Sequence, residues 1–416
     1  MRVYLESLGC RLNAAEITEL AGRFAGAGHD VVESPEAADV IVLNTCAVTA
    51  QAARKSRHRL RTLHRRNPRA RLAAMGCWVN YSPEAAAGIS GVTWALPNSD
   101  KPRIVEILTG QAAAEPVPWE PGLGGHTRVF LGVQTGCDNA CTYCITRILR
   151  GPARSRSPAA IVTQVQSLVA HGAQEVVLTG VSLGAYGHDL GLESGLAALV
   201  AAILQDTDLP RLRLSSVEPW DVDEQLLRCW ESPRLCRQLH LPLQAGSDAV
   251  LRRMGRRITT AQFARLVERA RTISPDLALT TDIIAGFPGE TESDFAEGLA
   301  FVAAQRFARL HVFPYSERAG TPAQRLSGSV PVRARRARAA QMRTLGARLA
   351  AAYRRRFLGR VLPVLWERRN TTGHWRGLSD NYLGVVTDSP DELYNRITST
   401  RLVGMEGEQL RGEPQL

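Results

Sequence analysis

The sequence predicts an α/β protein in three parts: an N-terminal open parallel α/β domain (residues 1–115), a central partial (β/α)6 barrel (126–356) and a small C-terminal β-barrel (357–416). Three patterns predict it. Short apolar runs alternate with helical periodicity up to about residue 110, the mark of βαβ units and a parallel sheet. Six more such units follow from Val129, two short of a closed eight-fold barrel. Beyond residue 356 the period changes to two, with turns between the runs.

In the first part, strands are expected at 3–8, 40–44, 71–75 and 92–96, with helices at 14–27 and 51–65. A Pro/Gly-rich stretch at 115–125 ends that pattern and marks a boundary. The barrel strands are expected at 129–134, 175–178, 212–216, 238–243, 277–284 and 310–315, each ending in polar or Gly-rich residues. In such folds ligands sit at the carboxyl ends of strands. A basic helix at 331–356 leads to period-two runs at 361–367, 383–387 and 395–403, the texture of an OB-like barrel.

A chain of 416 residues with a 44% hydrophobic share can bury several cores. The opening MRVYLESLGC lacks a basic segment followed by a long apolar one, and no run is apolar enough to span a bilayer, so no membrane role and a cytoplasmic location are expected. The net charge of +11 is concentrated: residues 51–71 hold nine Lys/Arg and residues 331–360 hold ten, neither with an acidic residue. Without those nineteen, 32 basic residues face 40 acidic ones. Two local stripes of this kind suit a polyanion such as RNA. A solvated arginine-rich face is the competing explanation.

Eight cysteines occur, at 10, 46, 77, 137, 141, 144, 229 and 236. In a cytoplasmic chain metal ligation explains them better than disulfides. Cys137, Cys141 and Cys144 form CxxxCxxC directly after the first barrel strand. Soft thiolates suit iron-sulfur clusters or zinc, and a partial zinc site or chance spacing competes here. Three ligands rather than four leave one iron of a 4Fe-4S cluster open. An open iron can chelate S-adenosylmethionine and deliver the electron that releases a 5′-deoxyadenosyl radical. Cys10, Cys46 and Cys77 are far apart in sequence, yet each follows a parallel strand (LESLGC, VLNTC, AAMGC). Strand ends converge on one edge of a sheet, so these thiols are expected to form a second three-thiolate site. Cys229 and Cys236 are expected to be packing residues.

These features together resemble the methylthiotransferases of the radical S-adenosylmethionine superfamily. The likeness spans the three single cysteines, the CxxxCxxC motif, the RSR of Arg154, Ser155 and Arg156, and a C-terminal domain similar to TRAM. It implies two 4Fe-4S clusters and two S-adenosylmethionines, one giving the radical and one the methyl group carried on sulfur. It also implies an electron donor such as flavodoxin or ferredoxin. Three branches modify isopentenyladenosine in tRNA, threonylcarbamoyladenosine in tRNA, or an aspartate of a ribosomal protein. The segments LTGVSLGAYG (178–187) and HVFPYSERAGTPA (311–323) look most like the threonylcarbamoyl branch. Its partner would be the tRNA anticodon stem-loop, whose unpaired bases splay out at modest cost. A regulatory RNA-binding protein with sensing clusters would account for the stripes and the β domain but not for an open-iron barrel site.

For S-adenosylmethionine, Thr179 and Gly180 are expected to present backbone to the amino group, and Glu218 and Gln244 to offer ribose or carboxylate contacts; loop capping is the alternative for the latter two. Asp282, within an apolar strand, needs a specific partner. Gly286, Phe287, Pro288 and Gly289 form a tight turn supporting the adenine side of the pocket. Arg154 and Arg156 are candidates for a bidentate anion contact, or solvent-facing loop charges.

Overall fold

The structure is a computed structural model that describes residues 1–111 and 127–415. The boundary expected at 115–125 lies outside the described residues. Five parallel strands open the chain: β1 (Arg2–Ser7), β2 (Asp30–Val32), β3 (Val40–Thr45), β4 (Arg71–Gly76) and β5 (Val92–Leu96), in the order β2-β1-β3-β4-β5. The sequence pattern did not reveal β2, which is only three residues long. Inserting it makes the order that of a doubly wound sheet, with a topological switch between β1 and β3, where such sheets hold ligands.

Alternation along β3 explains why both faces are covered. Ile41 and Leu43 pack with Ala53, Leu60 and Leu63 of helix Ala50–Arg66, while Val40 and Val42 pack with Ile17, Leu20 and Phe24 of helix Arg11–Gly26. Helix Ala50–Arg66 forms despite its charge because Thr49 caps it, accepting from the Ala52 amide at 3.0 Å. Its final His64, Arg65 and Arg66 also suit the negative end of the helix dipole.

The central part has two three-stranded parallel groups. One is β6 (Val129–Gly132), β9 (Glu175–Thr179) and β10 (Arg211–Leu214); the other is β11 (Gln238–His240), β12 (Ala278–Ala285) and β13 (Arg309–Pro314). Isolated bridges Leu212–Leu235 and Ser216–His240 join them into an open arc of six strands. The first expected strand is broken: β7 (Gln134–Thr135) turns aside to pair antiparallel with β8 (Arg154–Ser155). Helix Arg11–Gly26 packs on β6, so the N-terminal sheet closes on that side of the arc.

The C-terminal part is a closed five-stranded barrel of β14 (Val361–Arg369), β15 (Trp375–Ser379), β16 (Gly384–Thr387), β17 (Ile397–Glu406) and β18 (Gln409–Gln415), in the order β14-β15-β16-β18-β17. The sequence pattern did not reveal β15 and β18, whose apolar positions are few and interrupted by Gly377, Gly412 and Pro414. Helix Val332–Arg355 joins this barrel to the core, ending with Tyr353 buried against Leu362, Val364 and Trp366. No single helix among the described residues is long and apolar enough to cross a membrane; one bent pair, 183–190 with 195–206, passes that test by length and composition only.

A charged knot ties the three parts together. Arg213 and Glu175 are fully buried 2.7 Å apart, and Arg213 also donates to the carbonyls of Ser379 (3.2 Å) and Asp380 (3.0 Å). Tyr382, at φ +67°, lies 4.9 Å beneath that guanidinium and accepts a 2.9 Å bond from Arg11. Burial alone would raise the Glu175 carboxyl, but Arg213, Arg128 and Arg211 hold it down at about 2. Its folded value lies below the ordinary 4.5, so its stabilisation is full above pH 4.5 and fades as pH falls towards 2. Replacing Glu175 with Ala leaves two buried guanidiniums without a carboxylate. Chemical denaturation at pH 7 is expected to show a loss of about 3–5 kcal/mol, and parent-like stability would refute this role for the knot.

Candidate functional site

Each cysteine expected at a strand end lies at one. Cys10 follows the turn after β1, Cys46 follows β3 and Cys77 follows β4. Gly9 and Gly76 have φ of +99° and +97°, a region open to glycine, which lets the chain double back after its strand. A Cβ on Gly9 would stand 2.6 Å from the Cys46 sulfur, so these two loops are in contact. Burial, and to a lesser degree the neighbouring Cys77 thiol, raise the Cys10 thiol. Burial pushes the Cys46 thiol up to about 11.

The loops are pinned by Asn13, a residue that no sequence pattern marks. Fully buried, it donates to the carbonyls of Leu8 (2.7 Å) and Thr45 (3.1 Å), the residues leading into Cys10 and Cys46. Its Oδ1 accepts from Arg150 at 2.7 Å, and Arg150 also pairs with Glu16 at 2.9 Å. Arg150 ends the short helix Thr146–Arg150 that begins just beyond Cys144. One guanidinium therefore joins the two cysteine sets.

Cys137, Cys141 and Cys144 occupy the loop after β7. The Cys144 amide donates to the Cys141 carbonyl at 3.0 Å, and the Thr146 amide donates to the Cys144 sulfur at 3.4 Å. Gly136 is obligatory, since a Cβ there would lie 1.8 Å from the Pro152 carbonyl oxygen. Burial raises the Cys141 and Cys144 thiols, so ligation would release protons. Among the described residues no three Cys, His, Asp or Glu side chains converge tightly enough for a single metal ion. Iron-sulfur chemistry calls for soft donors, which both sets supply, and in the Cys137–Cys144 set the Thr146 amide also points at the Cys144 sulfur.

Gln134 is a second residue that the sequence did not single out. Its side chain donates to the carbonyls of Thr135 and Gly136, both at 2.9 Å, and accepts from the amides of Val181 and Ser182, both at 3.0 Å. It thus staples the cysteine loop to the end of β9, where Thr179 and Gly180 lie. The Thr179 hydroxyl is buried without a partner among the described residues, and a Cβ on Gly180 would crowd Gln134 at 2.9 Å. Gln244 holds φ +75°, strain of the kind found at binding sites. Glu218 is paired at 2.8 Å with Arg256, a buried residue equally unmarked in sequence, which donates to the Cys141 sulfur at 3.8 Å and stacks on Trp220.

The remaining candidates divide between site and scaffold. Asp282 has its partner: Oδ1 lies 3.4 Å from His240 Nε2, and the His311 ring stands 5.7 Å from the His240 ring. Arg156 is committed to the Gly132 carbonyl and Gln164, so it is not free to hold an anion as expected. Arg154 is exposed. The turn 286–289 is a clamp on the basic helix: Glu290 accepts from the Gly286 amide at 3.0 Å and from Arg338 at 2.8 Å. Arg335 and Arg338 are accordingly buried, which corrects the picture of a uniformly solvent-facing stripe. Cys236 is a buried packing residue beside Glu175, with its thiol pushed up to about 12 by burial. Cys229 is half-buried and directs its thiol to the Gln225 carbonyl.

An arc of parallel strands with three thiols after the first is the core of radical S-adenosylmethionine proteins, and residues 131–302 match the Radical SAM superfamily. Residues 2–93 match the Uncharacterized protein family UPF0004. The fold is similar to that of the radical S-adenosylmethionine methyltransferase TsrM from Kitasatospora setae, with a TM-score of 0.57 at 16% identity over 78% of this chain and 77% of that one. In sequence it is 36% identical to the threonylcarbamoyladenosine tRNA methylthiotransferase MtaB of Thermotoga maritima, over 92% of this chain and 90% of the relative. It is also 35% identical to the tRNA-2-methylthio-N(6)-dimethylallyladenosine synthase of a Parafrankia species, over 87% of this chain and 77% of the relative. The chain belongs to the radical S-adenosylmethionine methylthiotransferase family; its family chemistry requires a 4Fe-4S cluster and S-adenosylmethionine.

Gln134→Leu removes four hydrogen bonds from the cysteine loop and the β9 end at once. The variant is expected to lose about 1–3 kcal/mol of stability for each buried backbone group left unpaired. Anaerobic reconstitution should then give less iron per chain, and parent-like iron and stability would show that the staple is dispensable.

Proposed function

We propose that this protein methylthiolates C2 of the threonylcarbamoylated adenosine just 3′ of the anticodon in cytoplasmic tRNA. The observation that carries the reading is the meeting of two three-cysteine sets across a seam fixed by Arg150, which suits a substrate that must reach both. The names of the relatives support the choice of substrate. In this reading residues 1–115 carry Cys10, Cys46 and Cys77 for a second cluster, 126–356 are the radical core, and 357–416 are a TRAM-like barrel.

Cys137, Cys141 and Cys144 would hold the first cluster. When S-adenosylmethionine is bound there, that cluster supplies the electron for a 5′-deoxyadenosyl radical, which an aromatic C–H too weakly acidic for base catalysis requires. The chain's own work is positional. Gly180, lacking a side chain, lets backbone approach the methionine amino group beside Thr179. Arg256 pairs with Glu218 and holds it beside the cysteine loop, and Gln244 presents itself from a strained turn. The reductant is of the flavodoxin or ferredoxin class.

The cationic surface holds the tRNA anticodon stem-loop. On the long helix Arg333, Arg336 and Arg343 are exposed and form no ion pair among the described residues, whereas Arg356 is spent on Asp276. Neutralising Arg333, Arg336 and Arg343 should weaken tRNA binding and flatten its salt dependence by roughly 0.7–0.9 log units for each phosphate no longer neutralised. An unchanged salt slope would remove this helix from the RNA surface.

Cys137→Ala, Cys141→Ala or Cys144→Ala should abolish 5′-deoxyadenosine formation. Cys10→Ala, Cys46→Ala or Cys77→Ala should still release 5′-deoxyadenosine but yield no methylthio product, with iron lower by about four per chain. Unchanged iron and product would make the latter three ordinary core residues. The relatives that act on dimethylallyladenosine favour a second substrate, isopentenyladenosine. Nucleoside mass spectrometry of tRNA from a deletion strain decides: the methylthiolated threonylcarbamoyladenosine should vanish, and disappearance of the isopentenyl product instead would move the assignment.

A further inference from the structure

Six arginines among the described residues are buried: Arg211, Arg213, Arg256, Arg318, Arg335 and Arg338. Five face a carboxylate: Glu175 serves Arg211 and Arg213, Glu218 serves Arg256, Glu317 serves Arg335 and Glu290 serves Arg338. Arg318 is the exception. It is 5% exposed, and Nε and Nη2 are buried with no hydrogen-bond partner among the described residues. A buried guanidinium without a counter-charge is costly and calls for an anion.

Its position says which anion. The guanidinium lies 4.1 Å from the ring centre of Tyr81, the last residue of the helix that begins at Cys77. Ser316, two residues earlier, accepts at 3.2 Å from the amide of Ala50, the first residue of helix Ala50–Arg66. Ala323, five residues later, donates its amide to the carbonyl of Thr142, inside the Cys137–Cys144 loop, at 2.9 Å. Arg318 is therefore held at the seam between the two cysteine sets, stacked on an aromatic face and with its fork unused.

Resting on the substrate assignment above, we propose that Arg318 is a specificity-determining residue that binds the carboxylate of the threonylcarbamoyl group. A planar fork matches a carboxylate bidentately. A base splayed from the anticodon loop carries its N6 substituent deepest into the protein, whereas backbone phosphates remain nearer the surface. An unmodified adenine, or one bearing a dimethylallyl group, would leave the buried guanidinium unpaired, the situation in which polar sites discriminate most strongly.

The test measures binding of two anticodon stem-loop RNAs, one with threonylcarbamoyladenosine and one with plain adenosine, to the reconstituted full-length enzyme. The parent should prefer the modified RNA by about tenfold or more, the difference that a single charged pair at a polar site supplies. Arg318→Gln should lose that preference through weaker binding of the modified RNA alone, with iron content and affinity for the plain RNA unchanged. Arg318→Lys, which keeps the charge without the fork, should fall between; it carries the comparison if Arg318→Gln fails to fold. Equal weakening of both RNAs would assign Arg318 to a backbone phosphate and overturn the proposal, as would an unaltered preference. A parent that binds both RNAs alike overturns the anchor, while a parent that binds neither overturns the substrate reading itself.

Discussion

The carboxyl ends of two parallel sheets face one another across a single buried guanidinium, and the rest of the architecture depends on that meeting. Parallel strands deliver their ends to one edge, so cysteines placed there gather without being neighbours in sequence. Gathering alone would give two separate sites. Arg150 converts them into one, because it is short-tethered to Cys144 by a single helical turn and hydrogen-bonded to Asn13 beside Cys10 and Cys46. Glu16 supplies its counter-charge: burial would raise that carboxyl, but Lys101 and Arg150 hold it at about 2.

The basic composition serves two ends that sequence alone does not separate. Arg213, Arg335 and Arg338 are interior struts, each tying chain segments through one or two carboxylates and one or more carbonyls. Removing either partner of such a pair leaves a charge in low dielectric, so Arg213 fixes the C-terminal barrel on the core, while Arg335 and Arg338 fix the long basic helix on it. The remaining exposed arginines, with much of helix Ala50–Arg66, form the cationic exterior. Arg318 belongs to neither group: its Nε and Nη2 have no partner among the described residues.

The knot around Glu175 shows how distant chemistry is coupled. Tyr382 enters from the C-terminal barrel, Arg11 from the residue after Cys10, and Arg213 from the core. The C-terminal barrel thus touches the neighbour of Cys10 through one phenol. The left-handed backbone at Tyr382 is the local strain that such an insertion requires.

Sequence by itself determined the three-part α/β plan and both cysteine sets. Strand ends can be read from apolar periodicity, and a cysteine at such an end needs no tertiary information to be noticed. It could not reveal β2, β15 or β18, since short strands and strands interrupted by glycine are stabilised by neighbours rather than by their own pattern. Nor could it separate paired arginines from unpaired ones: Arg156 was singled out in the RSR motif and is spent on Gly132, while Arg318, inside the 311–323 segment but not singled out, stands unpaired among the described residues. Asn13, Gln134, Arg150 and Arg256 were equally invisible, because a hydrogen bond to a group far along the chain leaves no periodic trace. Only folding, which brings those partners within hydrogen-bond reach, decides which polar side chain is scaffold and which is site.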